Sequence, residues 1–330
     1  MQYFTIDSYT FVHNPTQEQD TLTYQGADLQ MLDGTWYAQP AAIPSQTTGF
    51  VRTIALTATI YQPMTRFAAR FSVGSQTWEG LAYDATHGQL WAWIGGGVQS
   101  FTSAGVSTGI TTSYGGPTGG AFANLSPTPT GTLMVGWSDG TVGEMDPTSG
   151  SIVSSSTALT ATGATFAGVA GSGGTIWGLT TAGGLYQSTG GTPVSYPPLA
   201  AHETADFAGL TMDPLGYLWS TRTQEAQAVC FSPRGRQIGG EELRDVGPYT
   251  WLPNGLALLY RPTLNQLQQV RLNSVDRDVD HLRTVLMGGQ VSLTDEQNVT
   301  RQVTVTALSV ASSLKYIRGY DVTIQVTETI

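Results

Sequence analysis

The residues able to do chemistry are few and scattered. Four histidines, His13, His87, His202 and His281, stand far apart, and none has a second histidine within one helical or strand repeat. The spacing that holds a transition metal is therefore missing. Asp276, Asp278 and Asp280 alternate as in a calcium loop, but the glycine and distal glutamate of such a loop are absent, and a solvated helix cap is expected instead. Gly171-Ser172-Gly173 lacks the spacing of a nucleophile elbow. The glycine-rich runs carry no Gly-Lys-Ser/Thr, so phosphate-loop chemistry is not supported. Paired carboxylates of the kind that cleave glycosides remain open, with Asp84, Asp139, Asp146 and Asp213 as candidates by position. Each also stands in a β-turn, where an aspartate commonly hydrogen-bonds nearby backbone. Four aromatic residues, Trp93, Tyr114, Trp137 and Tyr186, are candidates for stacking on the apolar face of a sugar ring. Packing between strands is the competing reading for each. No catalytic residue, metal or cofactor is assigned.

The elements that must position these side chains follow a repeat. Between Gly80 and Tyr260 a small-apolar strand, an Asp/Gly turn and a Leu-Trp strand recur, most clearly over Glu79–Trp91 and Ala208–Trp219. The anchors Leu90, Leu133, Ile176 and Leu218 are 43, 43 and 42 residues apart, the length of a four-stranded propeller blade. A weaker fifth copy runs through Tyr249–Leu272. Small residues in the first strand of each copy (Gly80, Ala82, Gly120, Ala123, Gly168, Ala170, Gly209) suit a crowded axis where backbones approach. Trp91, Trp177 and Trp219 recur at equivalent positions and are expected in the core. Asp213 to Trp219 resembles the motifs of NHL-like propeller families, which implies a fold and no particular activity.

Composition narrows the partners. Charged residues make up only 12% of the 330, with 40 glycines and a net charge of −10. That balance argues against nucleic acid and anionic membrane, which need clustered Lys and Arg. The single cysteine, Cys230, lies in an alternating run and is expected to be a buried strand residue. The first residues lack a basic-then-apolar leader, and no stretch approaches eighteen apolar residues. Asn124-Leu-Ser and Asn298-Val-Thr fit the glycosylation triplet, which by itself carries no weight.

The flanks lack the blade pattern. Residues 1–63 and 273–330 hold alternating strands such as Thr53–Ile60, Val303–Val310 and Tyr320–Thr327. Together they amount to a normal β-sandwich, with residues 64–272 as a propeller inserted into it, five-bladed on the count of copies. One short helix is expected over Asp276–Met287, with Val279, Leu282, Val285 and Leu286 on one face. Thr10-Phe11-Val12-His13-Asn14-Pro15, Met31–Trp36, Arg52–Thr59 and Lys315–Ile324 resemble minor tail and tail-tip proteins of tailed bacteriophages, the distal tail proteins among them. That resemblance implies a non-enzymatic structural virion protein made in the host cytoplasm. Its sandwich would form a homo-oligomeric ring in contact with tail tube and hub proteins, and its propeller would face a host surface glycan. Two other classes stand beside it: a carbohydrate-binding propeller lectin, and a hydrolase or lyase using mouth carboxylates such as Asp84 and Asp139.

Overall fold

The computed structural model describes residues 4–7, 9–11, 15–25, 27–30, 36–39, 49–61, 67–113, 120–196, 206–224, 227–242, 247–252, 255–272, 275–286, 289–295, 297–314 and 319–329. The chain divides into two compact units, one of Met1–Pro63 with Asp278–Ile330 and one of Met64–Arg277.

The second unit holds five four-stranded antiparallel sheets. The first comprises Gly80–Asp84, Gln89–Ile94, Gly97–Thr102 and Ser107–Ser113, and the second Phe122–Pro127, Leu133–Trp137, Val142–Met145 and Ile152–Ser156. The third comprises Phe166–Ser172, Thr175–Thr180, Leu185–Ser188 and Val194–Tyr196, and the fourth Phe207–Met212, Leu218–Arg222, Gln227–Phe231 and Gln237–Glu242. The fifth takes Tyr249–Trp251, Ala257–Arg261 and Gln266–Val270 from the end of the unit and Phe67–Ser72 from its start, pairing Leu267 with Phe71. Backbone hydrogen bonds thus tie the first strand of the unit to its last.

Each sheet buries both faces against its neighbours, and five mixed cores close the ring. Leu81 and Leu90 meet Leu258 and Tyr260 between the first and fifth sheets. Trp91 and Val98 meet Val135 and Trp137, Met134 and Val142 meet Phe166 and Val169, Leu179 meets Leu210 and Leu218, and Trp219 and Cys230 meet Tyr249 and Leu259. This unit is a β-propeller. The recurring Trp91, Trp177 and Trp219 are all buried. Burying a tryptophan removes roughly 150–250 Å² from water, on the order of 4–6 kcal/mol of gross transfer free energy. The inner strands begin at Gly80, Phe122, Phe166, Phe207 and Tyr249, and their backbones converge. At the closest approach a Cβ on Gly168 would collide with the backbone of Gly209 and Leu210. A buried polar clasp holds the same level. The Asn124 carboxamide donates to Val169 O (2.9 Å) and Leu210 O (2.5 Å) and accepts from Val169 N (2.7 Å), joining three sheets. This is the asparagine of the glycosylation triplet, and it is buried.

In the first unit the described strands of both chain ends form one seven-stranded antiparallel sheet. Its order is Tyr9–Phe11, Phe4–Ile6, Gln290–Thr294, Thr300–Ser312, Gly319–Thr329, Gly49–Tyr61 and Thr16–Gln25, and Ala27–Gln30 pairs separately with Trp36–Gln39. Where a β-sandwich is expected from the sequence, the described strands give this one large sheet and a separate two-stranded pair. Its central register explains the misreading. Ile54, Leu56 and Ala58 face Val326, Ile324 and Val322 on one buried side, and Thr57 and Thr59 pair with Thr323 and Asp321 on the other. Alternation of this kind suits any sheet with one covered face. The helix Val275–Leu286 buries Val279, Leu282 and Leu286, with Asp276 and Asp278 in its first turn. Among the described residues no helix is long and apolar enough to cross a membrane.

Candidate functional site

Two cavities open at opposite ends of the inner strands. The entry mouth, where these strands begin, holds a cavity of about 250 Å³ walled by all five sheets, from Glu79 and Leu81 in the first to Pro248 and Tyr249 in the fifth. Three phenylalanines, Phe122, Phe166 and Phe207, open consecutive inner strands and line it. Each is braced from behind. Phe122 stacks on Trp93 with centroids 4.3 Å apart and planes at 7°, and Phe166 meets Tyr186 edge-on at 5.7 Å. The Arg222 guanidinium lies 5.4 Å from the Phe207 ring centre. Aromatic pairs and a cation over a ring fix orientation as well as adding contact. The wall is therefore preorganised.

The polar groups of this mouth divide into engaged and unengaged. Asp206, just outside the fourth inner strand, accepts from Arg222 Nε at 3.1 Å and from Gln224 N at 3.0 Å, with both charged side chains buried. The Thr221 hydroxyl donates to Ala208 O at 2.7 Å. Glu79 is exposed and is the one carboxylate among the described residues of the cavity wall. Thr211 and Tyr249 also contribute to the wall, but they are 3% and 6% exposed and their hydroxyl oxygens are closed off from solvent, the phenol lying toward Cys230 and Asp213 in the core between the fourth and fifth sheets. Burial pushes the Tyr249 phenol well above the usual tyrosine range, and the nearby Cys230 and Asp213 reinforce it. The group is a neutral O–H.

The exit mouth is larger, about 550 Å³, and is walled by the turns that follow the inner strands, including Asp84, Thr130 and Asp213. Its carboxylates are fully engaged. Asp213 Oδ1 accepts from Leu215 N and Tyr217 N, both at 2.9 Å, and Oδ2 accepts from Trp219 Nε1 at 3.1 Å and Arg277 Nη1 at 3.2 Å. Asp84 Oδ1 accepts from Thr86 N at 2.9 Å and His87 N at 3.3 Å. Its Oδ2 lies 2.5 Å from His87 Nδ1, and His87 Nε2 lies 3.4 Å from the Thr148 hydroxyl. His87 and Thr148 are exposed and stand outside the cavity wall. Asp139 and Asp146 also hold turns, accepting from Thr141 N (2.8 Å) and Thr148 N (2.9 Å). The Thr148 N–H and then the Ser149 hydroxyl lower the Asp146 pKa. All four aspartates thus act as turn braces. Among the described residues no three of His, Cys, Asp and Glu come together as a metal site would require.

Of the aromatic candidates, Trp93 and Tyr186 stand behind the cavity as supports of Phe122 and Phe166. Trp137 is buried between the first and second sheets, and Tyr114 lies outside the described residues. The wall itself, Phe122, Phe166, Phe207, Glu79, Thr211 and Tyr249, escaped the residue-type search. One signal was present: Phe-Ala recurs at 122, 166 and 207, each time one residue before the axial Asn or Gly.

No known family profile and no curated protein matches the chain. Among solved structures it is similar to glutaminyl cyclase of Myxococcus xanthus (10% identity, TM-score 0.48, covering 64% of this chain and 99% of that one). It is also similar to virginiamycin B lyase of Staphylococcus aureus (11%, 0.36, 92% and 87%) and to the calcium-binding protein regucalcin of Agrobacterium tumefaciens (12%, 0.39, 62% and 94%). At these identities the likeness concerns fold alone. None of the three is a tail protein and two are enzymes by name, and the tail-tip resemblance is corrected accordingly. The tail reading rested on diffuse motifs at the chain ends, and His13-Asn14 and Met31–Gly34 among them fall outside the described residues. The expectation of a non-enzyme came with that resemblance and is withdrawn with it.

Proposed function

We propose that the propeller binds a small, neutral, polyhydroxylated molecule of the carbohydrate class in its entry mouth, with Glu79 as the acid-base group of the site. The observation that carries this reading is the wall: the half-buried Phe122 ring, braced by Trp93, beside the exposed Glu79 carboxylate, in a cavity to which all five sheets contribute and which the buried Phe166 and Phe207 back. Phenyl faces suit the C–H face of a sugar ring, and a cavity of about 250 Å³ matches one or two small rings. One carboxylate does not suit glycoside cleavage by a pair of acids. It suits general-base work, activating water toward an ester-type carbonyl or removing a proton from the bound molecule.

Calorimetric titration of the full chain with neutral mono- and disaccharides tests the binding, and their acetyl esters test turnover. Binding that weakens in Phe122→Ala, with turnover lost and binding kept in Glu79→Gln, is the expected outcome. No binding at millimolar concentration, or affinity indifferent to Phe122→Ala, would sink the reading.

A further inference from the structure

The repeat breaks at one place, and a groove opens there. In the first, third and fourth sheets the residue after the anchor is a tryptophan, Trp91, Trp177 and Trp219, and each packs across to the next sheet. The second sheet has Met134 at this position, packed with Phe166 and Val169 of the third. A methionine fills less space than a tryptophan, and a groove of about 230 Å³ lies between these two sheets. The break extends along one cross-strand row. Met134 pairs with Glu144, and Glu144 with Ser154, so the three side chains stand together on the face turned to the third sheet. The residues paired with the three tryptophans are Ser100, Gln187 and Cys230. Of these four equivalent positions, the second sheet alone carries a charge.

The groove joins an apolar floor to that charge. Met134, Val142 and Ile176 line it beside the half-buried Glu144, and no lysine, arginine or histidine is among the described residues of its wall. Glu144 Oε1 accepts from the Thr132 hydroxyl at 2.5 Å, and Oε2 from the Ser154 hydroxyl at 3.0 Å. The two hydroxyls fix the carboxylate and fill about half of its acceptor positions. Having donated their protons to it, they have only lone pairs left to offer. We infer that this groove binds the ammonium group of an aliphatic primary amine, with Glu144 as its counter-ion and the methylenes lying along Met134, Val142 and Ile176. An ammonium carries donors alone, which matches a row that offers acceptors, and its hydrogen bonds to a carboxylate are of the strong, charge-assisted kind. The same chemistry is carried by a free alkylamine and by a lysine side chain of another protein. The groove shares no described wall residue with the entry cavity, so the inference is independent of the role proposed there.

The test uses the full chain and calorimetry, with 1-aminopentane, 1,5-diaminopentane and Nα-acetyl-lysine amide as probes and pentan-1-ol as the uncharged control. Amine binding is expected, with pentan-1-ol weaker by about 10-fold or more. Glu144→Gln keeps the shape of the side chain and is expected to lower amine affinity by about 10-fold or more. Met134→Trp restores the repeat, fills the groove and is expected to abolish binding. Where that variant fails to fold, Glu144→Gln decides alone. Acetyl-lysine amide bound as tightly as 1-aminopentane supports a protein lysine as the natural occupant, and tighter binding of the free amines supports a small molecule. No amine binding at millimolar concentration, affinity indifferent to Glu144→Gln, or pentan-1-ol bound as tightly as the amine overturns the inference.

Discussion

The two mouths of the propeller are built from opposite ends of the same five strands, yet they hold their polar groups differently. The exit mouth has about twice the volume, 550 against 250 Å³, and two buried aspartates in its wall. The oxygens of both have partners in the turns, in the following strand or on Arg277. The entry mouth has braced rings and, among its described residues, one exposed carboxylate. Size and carboxylate count would favour the first as a site, and an exposed carboxylate beside an aromatic wall favours the second. A buried carboxylate already accepting four hydrogen bonds stabilises the fold and has little left to offer a ligand.

That contrast separates effects on stability from effects on binding. Asp213→Ala leaves Arg277 without its buried partner and removes the brace of a turn, so a loss of about 3–5 kcal/mol is expected in urea titration. Sugar affinity of the molecules that remain folded should be unchanged, and a binding defect would break the comparison. Asn124→Ala unpairs Val169 N and two carbonyls at the axis, for a loss on the order of 2–3 kcal/mol measured the same way. Phe122→Ala, at a half-buried ring, is expected to lower sugar affinity by about 10-fold, roughly 1.4 kcal/mol, in calorimetry. Glu79→Gln should move stability by less than about 0.5 kcal/mol, as for other exposed substitutions, while lowering turnover about 100-fold or more.

The pH dependence adds the smallest effect. Folded Tyr249 keeps its proton where the unfolded phenol releases it near pH 10, so the unfolded state binds fewer protons in that range. The contribution is intact below pH about 10 and is lost as pH rises beyond it. Thermal melts of Tyr249→Phe should accordingly decline less steeply above pH 10 than those of the wild-type protein.

The repeat was legible because each copy must solve the same packing problem. Leu90, Leu133 and Leu218 occupy equivalent buried positions, and the tryptophans that follow Leu90 and Leu218 fill the spaces between sheets. The turn role of Asp84, Asp139, Asp146 and Asp213 was legible for a similar reason, since each carboxylate bonds to backbone two to four residues away. Asn124 was not, because its partners lie 45 and 86 residues downstream. The aromatic search found Trp93 and Tyr186, the supports of the cavity wall, and missed Phe122 and Phe166, the wall itself. Ring chemistry is the same on both sides of such a pair, and only position decides which face meets solvent. The relay from Asp84 through His87 to Thr148 joins two sheets across 61 residues of chain and had no local signature.

By itself the sequence determined a β-propeller of repeating four-stranded units, because hydrophobic period, turn glycines and blade length are local properties that recur in every copy. The tertiary structure decided which mouth keeps an exposed carboxylate, and it decided that the chain ends share one sheet. Both depend on pairings between residues far apart in the chain, and alternation along a strand does not encode its partner.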